Sequence, residues 1–200
     1  QVFLEKNQMV NLAANLEAHV LQKPTGTQDY FPAIEPGLHR IDYGWQGPND
    51  QLITGATEPF EQRSFLVDTG APHHSGLNNW QVIKQAVEGD KKTLSALNRL
   101  REISFSVWRE VLQKGDWSQL GPLLNAESEA RLALSASFDS PAIQKLSESL
   151  FAQGAEAVKI CGAGGGGCVF VWCQALEKDA LMQKCRDQGY RVFPTKVVSE

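Results

Sequence analysis

The stretch KICGAGGGGCVFVW, residues 159–172, places five glycines between two apolar segments. Both flanks are β-branched, aromatic or cysteine residues, whereas flexible linkers have polar flanks. A glycine run inside a strand pattern marks a point where another backbone or a ligand approaches closely. Glycine lacks the Cβ that would block this approach, and it allows φ > 0, so that successive N–H groups can point into one concavity. The stretch therefore predicts two strands joined by a loop that forms or supports a phosphate site.

Two common glycine fingerprints do not fit this loop. A P-loop requires Lys and then Ser or Thr at the positions of Cys168 and Val169. Residues 162–167 have the G-x-G-x-x-G spacing of a dinucleotide-binding fold, but that fingerprint must open a helix, and residues 168–173 read as a strand. On this stretch alone, a tight hairpin without any ligand is an open alternative.

Composition excludes several classes of function. The 200 residues carry a net charge of -4 without a cluster of Lys and Arg, which argues against nucleic acid as the partner. No apolar run approaches the roughly 18 residues of a membrane span, and no signal peptide is visible at the start, so we expect a cytoplasmic protein that binds small molecules. The four cysteines lack C-x-x-C spacing, which favours free thiols over a zinc site or a disulfide framework.

The first third of the chain indicates one helix followed by extended segments. Apolar residues recur at helical spacing over residues 9–21, which predicts a core-facing helix that ends near Lys23. The loop at residues 25–31 then presents one carboxylate, Asp29, either as a site residue or as the cap of its own turn. Short apolar segments among glycines and prolines predict several antiparallel strands in residues 33–66.

A second candidate loop follows a strand predicted at residues 63–68. It reads TGAPHHSG over residues 69–76 and contains two histidines and a hydroxyl between glycines. Such a loop is suited to an anion or a sugar. Adjacent histidines alone do not predict a metal site, because no second cluster of ligands lies nearby in the sequence. A solvated surface loop is the plain alternative.

The rest of the chain predicts helices and one sheet. An apolar stripe from Leu94 to Val111 ends at Gly115, and a Ser-Pro pair at residues 140–141 opens a helix that ends at Gly154. The further predicted segments are a helix at about 118–134, strands at 155–161 and 168–173, a helix at 177–188 and a strand at 190–198, in which Pro194 indicates a sheet edge or a bulge. Their order predicts an α+β layer with its helices packed on one face of the sheet.

Several stretches resemble the GHMP kinase family, which is named for galactokinase, homoserine kinase, mevalonate kinase and phosphomevalonate kinase. Residues 160–168 resemble its third motif, a glycine-rich loop that packs beside the phosphate-binding loop and the substrate. Residues 26–30 resemble a loop of the sugar-kinase branch, which includes the heptose-phosphate and fucose kinases. Residues 68–76 resemble the threonine-glycine loop of that branch, with two histidines in place of the commoner Ser/Arg pair. Residues 120–125 resemble the helix start that precedes the third motif in the heptose kinases.

The resemblance implies a GHMP-kinase-like α+β fold. Residues 1–66 would be the remainder of the N-terminal domain, which binds ATP and substrate, and residues 67–200 would be the C-terminal domain with a ferredoxin-like layer. The resemblance covers only the second half of the family's length. The N-terminal substrate motif and the P-x-x-x-G-L-G-S-S loop, which cradles the ATP phosphates, are expected before Gln1. Without that half we expect residues 1–200 to be inactive, and either to self-associate, for example as a homodimer, or to bind the missing half.

The resemblance also implies an activity, its cofactors and its site residues. The activity is the transfer of a phosphoryl group from ATP, with Mg²⁺, to a hydroxyl of a small sugar or sugar phosphate, with Asp29 as the catalytic base. The implied substrate-binding residues are Thr27, Gln28, Thr69, His73, His74 and Ser75. The implied support for the ATP phosphates comes from Gly162, Ala163, Gly164, Gly165, Gly166 and Gly167. No residue of the chain is implied as a metal ligand.

Two alternatives stay open at this point. The first is a kinase of the mevalonate or homoserine branch, although the pair of Gln28 and Asp29 suits the sugar branch better. The second is a non-catalytic GHMP-like protein that binds a ligand and regulates a partner, which the missing ATP loop favours. The sugar itself is not defined by these motifs.

Overall fold

A computed structural model of the chain describes residues 4–22, 25–71, 77–162 and 164–198. The chain divides into two compact units, of which the first comprises Gln1–Glu58 with Lys196–Glu200 and the second comprises Pro59–Thr195. None of the described helices combines the length and the apolar composition that a membrane crossing requires.

The first unit contains two helices and a hairpin. Helix α1 is Lys6–Leu21, helix α2 is Tyr30–Ile34, and strands β1 (Leu38–Gly44) and β2 (Gly47–Ile53) pair in antiparallel fashion. A capping box between Glu5 and Gln8 starts α1. The helix therefore lies where the apolar spacing predicted it.

The apolar stripe of α1 is not core-facing, which corrects the sequence prediction. Val10 is fully buried, whereas Leu16 is 58% exposed and Val20 is 77% exposed. The first turn is instead fixed by a polar contact, because Lys6 lies 2.7 Å from the carboxylate of Asp50 on the hairpin. Within the described part of this unit, helical spacing correctly indicated the helix but not which of its residues become buried.

The segment between the hairpin and the second candidate loop is only partly extended. Strand β3 (Ser64–Asp68) is preceded by helix α3 (Thr57–Arg63), where the sequence predicted strands throughout. Pro59 falls in the first turn of α3, where the missing N–H does not matter, and Glu58 and Arg63 suit the two ends of the helix dipole. Pro59 therefore marks the start of a helix in addition to interrupting strand structure.

In the residues that the structure describes, the second unit combines β3 with five further α-helices and three more strands. Helix α5 runs directly into a π-helix at Val107–Gln113, and short 3₁₀ turns lie at Trp117–Gln119, Ala136–Phe138 and Ala175–Glu177. The helices are α4 (Leu77–Val87), α5 (Lys91–Ser106), α6 (Leu120–Leu134), α7 (Pro141–Ala152) and α8 (Lys178–Asp187). The strands are β4 (Ala157–Ile160), β5 (Cys168–Trp172) and β6 (Arg191–Pro194). The predicted Ser-Pro helix start is confirmed, since Ser140 caps α7 and Pro141 is its first residue.

The strands form one antiparallel sheet in the order β4-β5-β3-β6. Strand β5 pairs with β4 on one side and with β3 on the other, so Cys168 lies opposite Asp68 and Val169 lies opposite Ile160. Strand β6 is an edge strand, which is one of the two positions that Pro194 indicated. The β4–β5 connection thus opens beside the residues that follow β3.

Helices cover both faces of this sheet, which corrects the prediction that they pack on one face. On the first face, Val169 and Val171 pack with Leu146 and Leu150 of α7. On the second face the fully buried Trp172 packs with Ala157, Val111 and Leu120. The side chains on both faces of β5 are apolar, so helices must pack on each face to bury them. The predicted α+β class is confirmed.

Candidate functional site

The glycine-rich loop joins β4 to β5 in the second unit. The amide of Cys161 donates to the carbonyl oxygen of Cys168 at 3.0 Å, which closes the base of the loop. The predicted arrangement of strand, glycine loop and strand is thereby confirmed. Gly162 and residues 164–167 are described, whereas Ala163 lies outside the described residues.

The turn after β3 holds the exit of the glycine loop. The amide and the hydroxyl of Thr69 both donate to the carbonyl oxygen of Gly167, at 2.8 Å and 2.7 Å. In return the amide of Gly167 donates to the carbonyl of Ala71 at 2.8 Å. The structure therefore brings together two of the predicted site residues, Thr69 and Gly167. The predicted residues His73, His74 and Ser75 lie outside the described residues.

The middle of the loop rests on the turn between α6 and α7. The amide of Gly165 donates to the carbonyl oxygen of Phe138 at 2.9 Å. At Gly164, φ is +81°, and an added Cβ would lie 2.6 Å from that same oxygen. Glycine is required at position 164 both for its backbone conformation and for the close approach of Phe138.

The entry of the loop is held by residues that the sequence analysis did not single out. Arg131 of α6 donates through Nη1 to the carbonyl oxygen of Gly162 at 3.0 Å. The same guanidinium is bound to Glu127, which also accepts from Lys159 of β4 at 3.1 Å. The available signal was the spacing of Glu127 and Arg131, an i,i+4 acid–base pair on a predicted helix. That spacing alone does not reveal the third contact to the loop.

Among the residues that the structure describes, two amides of the loop have no hydrogen-bond partner. Gly164 and Gly166 are buried residues, and within the described part of the chain their N–H groups make no hydrogen bond. Buried backbone donors are normally satisfied, so two of them in one glycine loop suit an acceptor that carries several oxygens. The loop fits a phosphate group on this observation.

Charged and titratable groups surround the loop. Asp68 accepts from the amide of Gly70 at 2.9 Å and from Arg191, and these contacts, chiefly that amide, lower the pKa of its carboxyl group. Burial raises the pKa of the Cys161 and Cys168 thiols. These cysteines are therefore poor nucleophiles at neutral pH.

The loop that carries Asp29 belongs to the first unit. The Asp29 carboxylate is exposed, does not cap α2, and accepts one hydrogen bond from the side chain of Gln28 at 3.3 Å. Thr27 donates its hydroxyl proton to the phenol oxygen of Tyr43 at 3.0 Å. The alternative role of Asp29 as the cap of its own turn is not supported by its contacts. Its role as a base stays a prediction.

No metal centre is found among the residues that the structure describes. These ranges contain no group of three or more His, Cys, Asp and Glu side chains that could hold a metal ion. The four cysteines are free thiols.

Comparison with protein families identifies the domain that holds the glycine loop. Residues 108–191 match the family model described as GHMP kinases C terminal. This range includes α6, α7 and the β4–β5 hairpin. The resemblance to the GHMP kinases that the motifs indicated is confirmed.

Comparisons with single proteins agree with the domain match. Over 195 residues the chain is 22% identical to the D-glycero-alpha-D-manno-heptose 7-phosphate kinase of Campylobacter jejuni. Among solved structures, a Listeria innocua protein has a TM-score of 0.81 at 16% identity, with 98% of this chain and 61% of that chain covered. The mevalonate kinase of L. major in complex with R-mevalonate has a TM-score of 0.71 at 19% identity, with 98% of this chain and 60% of that chain covered. These likenesses establish a GHMP-kinase-like fold.

The chain spans only part of each of these relatives. The alignment with the heptose 7-phosphate kinase covers 94% of this chain but 56% of the relative.

Proposed function

We infer that the intact protein that carries this chain is an ATP-dependent kinase for a hydroxyl of a small sugar or sugar phosphate. The observation that carries this inference is the glycine loop. It is held at its exit, middle and entry, and the amides of the buried residues Gly164 and Gly166 have no partner among the described residues. It lies in a domain that matches the C-terminal domain of the GHMP kinases. The named similarity to a heptose 7-phosphate kinase favours the sugar branch.

In this proposal the loop binds or supports a phosphate group by donating backbone hydrogen bonds. ATP supplies the phosphoryl group that is transferred, and Mg²⁺ would neutralise its charge. The fixed amides would hold phosphate oxygens without reorganising during transfer, which is how preorganised donors lower a barrier.

Asp29 is the proposed proton acceptor. Its carboxylate is exposed and, among the described residues, accepts one hydrogen bond, from Gln28, so it can accept another from a substrate hydroxyl. Thr27, Gln28 and Thr69, together with His73, His74 and Ser75, are the proposed substrate-binding residues. Of these, Thr69 also bonds the exit of the glycine loop, so a change there would affect both roles.

The proposal extends to domains and location. Residues 1–66 would be the remainder of an N-terminal domain and residues 67–200 the C-terminal domain, with the other kinase motifs on a preceding segment. We propose that the intact enzyme is cytoplasmic and that it binds its substrate as a monomer or as a homodimer.

The test is a coupled ADP-release assay on the intact protein. The acceptors would be free sugars, heptose phosphates, mevalonate and homoserine, and the Asp29→Asn variant would be the control for contaminating kinases. We expect turnover of a sugar or sugar phosphate, with a kcat that is roughly 10²-fold lower in the variant. Turnover of mevalonate or homoserine would place the protein in another branch, and MgATP binding without turnover of any acceptor would favour a regulatory protein.

A further inference from the structure

A chain of three charged side chains leads from the sheet to the entry of the glycine loop. Lys159 on β4 lies 3.1 Å from Oε1 of Glu127 on α6. Oε1 of Glu127 also accepts from Nε and Nη2 of Arg131, at 3.1 Å and 2.8 Å. The third nitrogen of this guanidinium, Nη1, donates to the carbonyl oxygen of Gly162 at 3.0 Å.

This arrangement differs from an ordinary ion pair on a helix surface. The Glu127 and Arg131 side chains are only 16% and 23% exposed, whereas Arg99 and Glu102 on α5 are 60% and 64% exposed at 3.8 Å. The second oxygen of Glu127, Oε2, is buried without a partner within the described residues. A buried acceptor without a partner costs stability. Two nitrogens of the guanidinium bond to Glu127 and the third bonds to Gly162, so its direction is fixed from both sides.

The same guanidinium also contacts the support of the middle of the loop. Its central carbon lies 5.8 Å from the centre of the Phe138 ring, within the range of a cation–π interaction. The carbonyl of Phe138 in turn accepts from the amide of Gly165. Arg131 thus touches the first described glycine of the loop and the residue that holds its middle.

We propose that Arg131 is a positioning residue for the glycine loop, oriented by Glu127 and, through Glu127, by Lys159. Its planar fork donates to Oε1 of Glu127 through two nitrogens and to Gly162 through the third, a division that a lysine ammonium on a flexible stem does not reproduce. Holding the entry of the loop keeps the amides of Gly164 and Gly166 aimed in fixed directions. This inference rests on the proposed function, in which these amides donate hydrogen bonds to a phosphate group.

The first test measures the loop directly and does not depend on catalysis. In the intact protein, Arg131→Lys should speed hydrogen exchange of the peptide that covers residues 161–167 by about 10-fold, while exchange in β5 stays as in the wild type. Glu127→Gln should have the same effect, and the double variant should add little, because both changes break one chain of contacts. Arg99→Lys is the matched control and should change nothing. Unaltered exchange in Arg131→Lys would overturn the proposal.

The second test separates positioning from general loss of structure. In the kinase assay, Arg131→Lys should raise KM for ATP by about 10-fold, while kcat falls less than about 3-fold. If kcat falls as strongly as KM rises and the melting temperature falls as well, Arg131 has a merely structural role and the proposal is overturned. If the wild type turns over no acceptor, the proposed function fails, but the exchange comparison still decides whether Arg131 holds the loop.

Discussion

Thr69 donates two hydrogen bonds to a single acceptor, the carbonyl oxygen of Gly167, through its amide at 2.8 Å and its hydroxyl at 2.7 Å. One residue of the turn after β3 thereby fixes the exit of a loop on a neighbouring strand pair. The amide bond is a property of the backbone, but the hydroxyl bond depends on the side chain, so the two can be separated by substitution.

Replacing Thr69 with Val should remove the hydroxyl bond and keep the β-branched shape. We expect a loss of about 1 kcal/mol in the free energy of unfolding, as is typical for one hydrogen bond, measured by urea denaturation. Thr54 is exposed and serves as the matched control, since Thr54→Val should be close to neutral. Equal stability of the Thr69→Val variant and the wild type would mean that the hydroxyl bond contributes nothing.

Gly164→Ala should destabilise the protein more than Gly162→Ala. Both glycines have positive φ, at +81° and +62°, so both substitutions strain the backbone, but only at position 164 would the new Cβ meet the Phe138 carbonyl at 2.6 Å. We expect about 1 kcal/mol for Gly162→Ala and at least about 2 kcal/mol more for Gly164→Ala. The comparison is made by thermal and urea unfolding, and equal losses would contradict the close contact.

Asp29→Asn in the intact protein should lower kcat by roughly 10²-fold while the affinity for ATP changes little, as expected for the loss of a proton acceptor. Steady-state kinetics with the acceptor found in the ADP-release assay would measure this. Asp42 on β1, whose side chain is 45% exposed and pairs with Arg40, is the control position. An unaltered kcat would remove Asp29 from the mechanism.

Replacing His73 or His74 with Ala should raise KM for the sugar far more than KM for ATP, if these side chains donate hydrogen bonds to the substrate. Measuring both KM values for each variant tests the role of this loop. No change in either value would make residues 69–76 a solvated surface loop.

Asp68 should make stability depend on pH. Its carboxyl pKa is lowered chiefly by the amide of Gly70 and also by Arg191, so the folded state favours the carboxylate. The resulting stability is fully present above the ordinary carboxyl pKa and is lost as pH falls through the lowered folded value. Asp68→Asn should therefore unfold more easily than the wild type at pH 7, by about 1 kcal/mol, and the difference should shrink at pH 3. A difference that is the same at both pH values would show that the charge of Asp68 does not matter.

Local signals in the sequence were enough for the parts of the fold that local physics controls. The glycine run between apolar segments predicted β4, the loop and β5, and the Ser-Pro pair predicted the start of α7. Helix α3 was missed because Pro59 and its neighbours were read only as strand breakers. Local patterns describe backbone conformation well when a cap or a turn residue carries the information.

The contacts that shape the candidate site could not be predicted in this way. The bond between Thr69 and Gly167 joins residues 98 positions apart, and the bond between Arg131 and Gly162 joins residues 31 positions apart. Both depend on the register of the sheet and on the packing of α6, which no local pattern specifies. The burial of α1 was misjudged for a related reason, since apolar spacing shows that a face exists and not what covers it.

The three contacts that hold the glycine loop join residues that are far apart in the sequence, and this affects the order of folding. The β4–β5 hairpin is local and can form early, but its loop acquires its three supports only after β3, α6 and the turn at Phe138 have reached it from distant parts of the chain. Contacts of high sequence separation are formed late, because the chain must first lose the entropy of closing the intervening segment. Substitutions that weaken these supports should consequently hasten unfolding and leave the refolding rate almost unchanged.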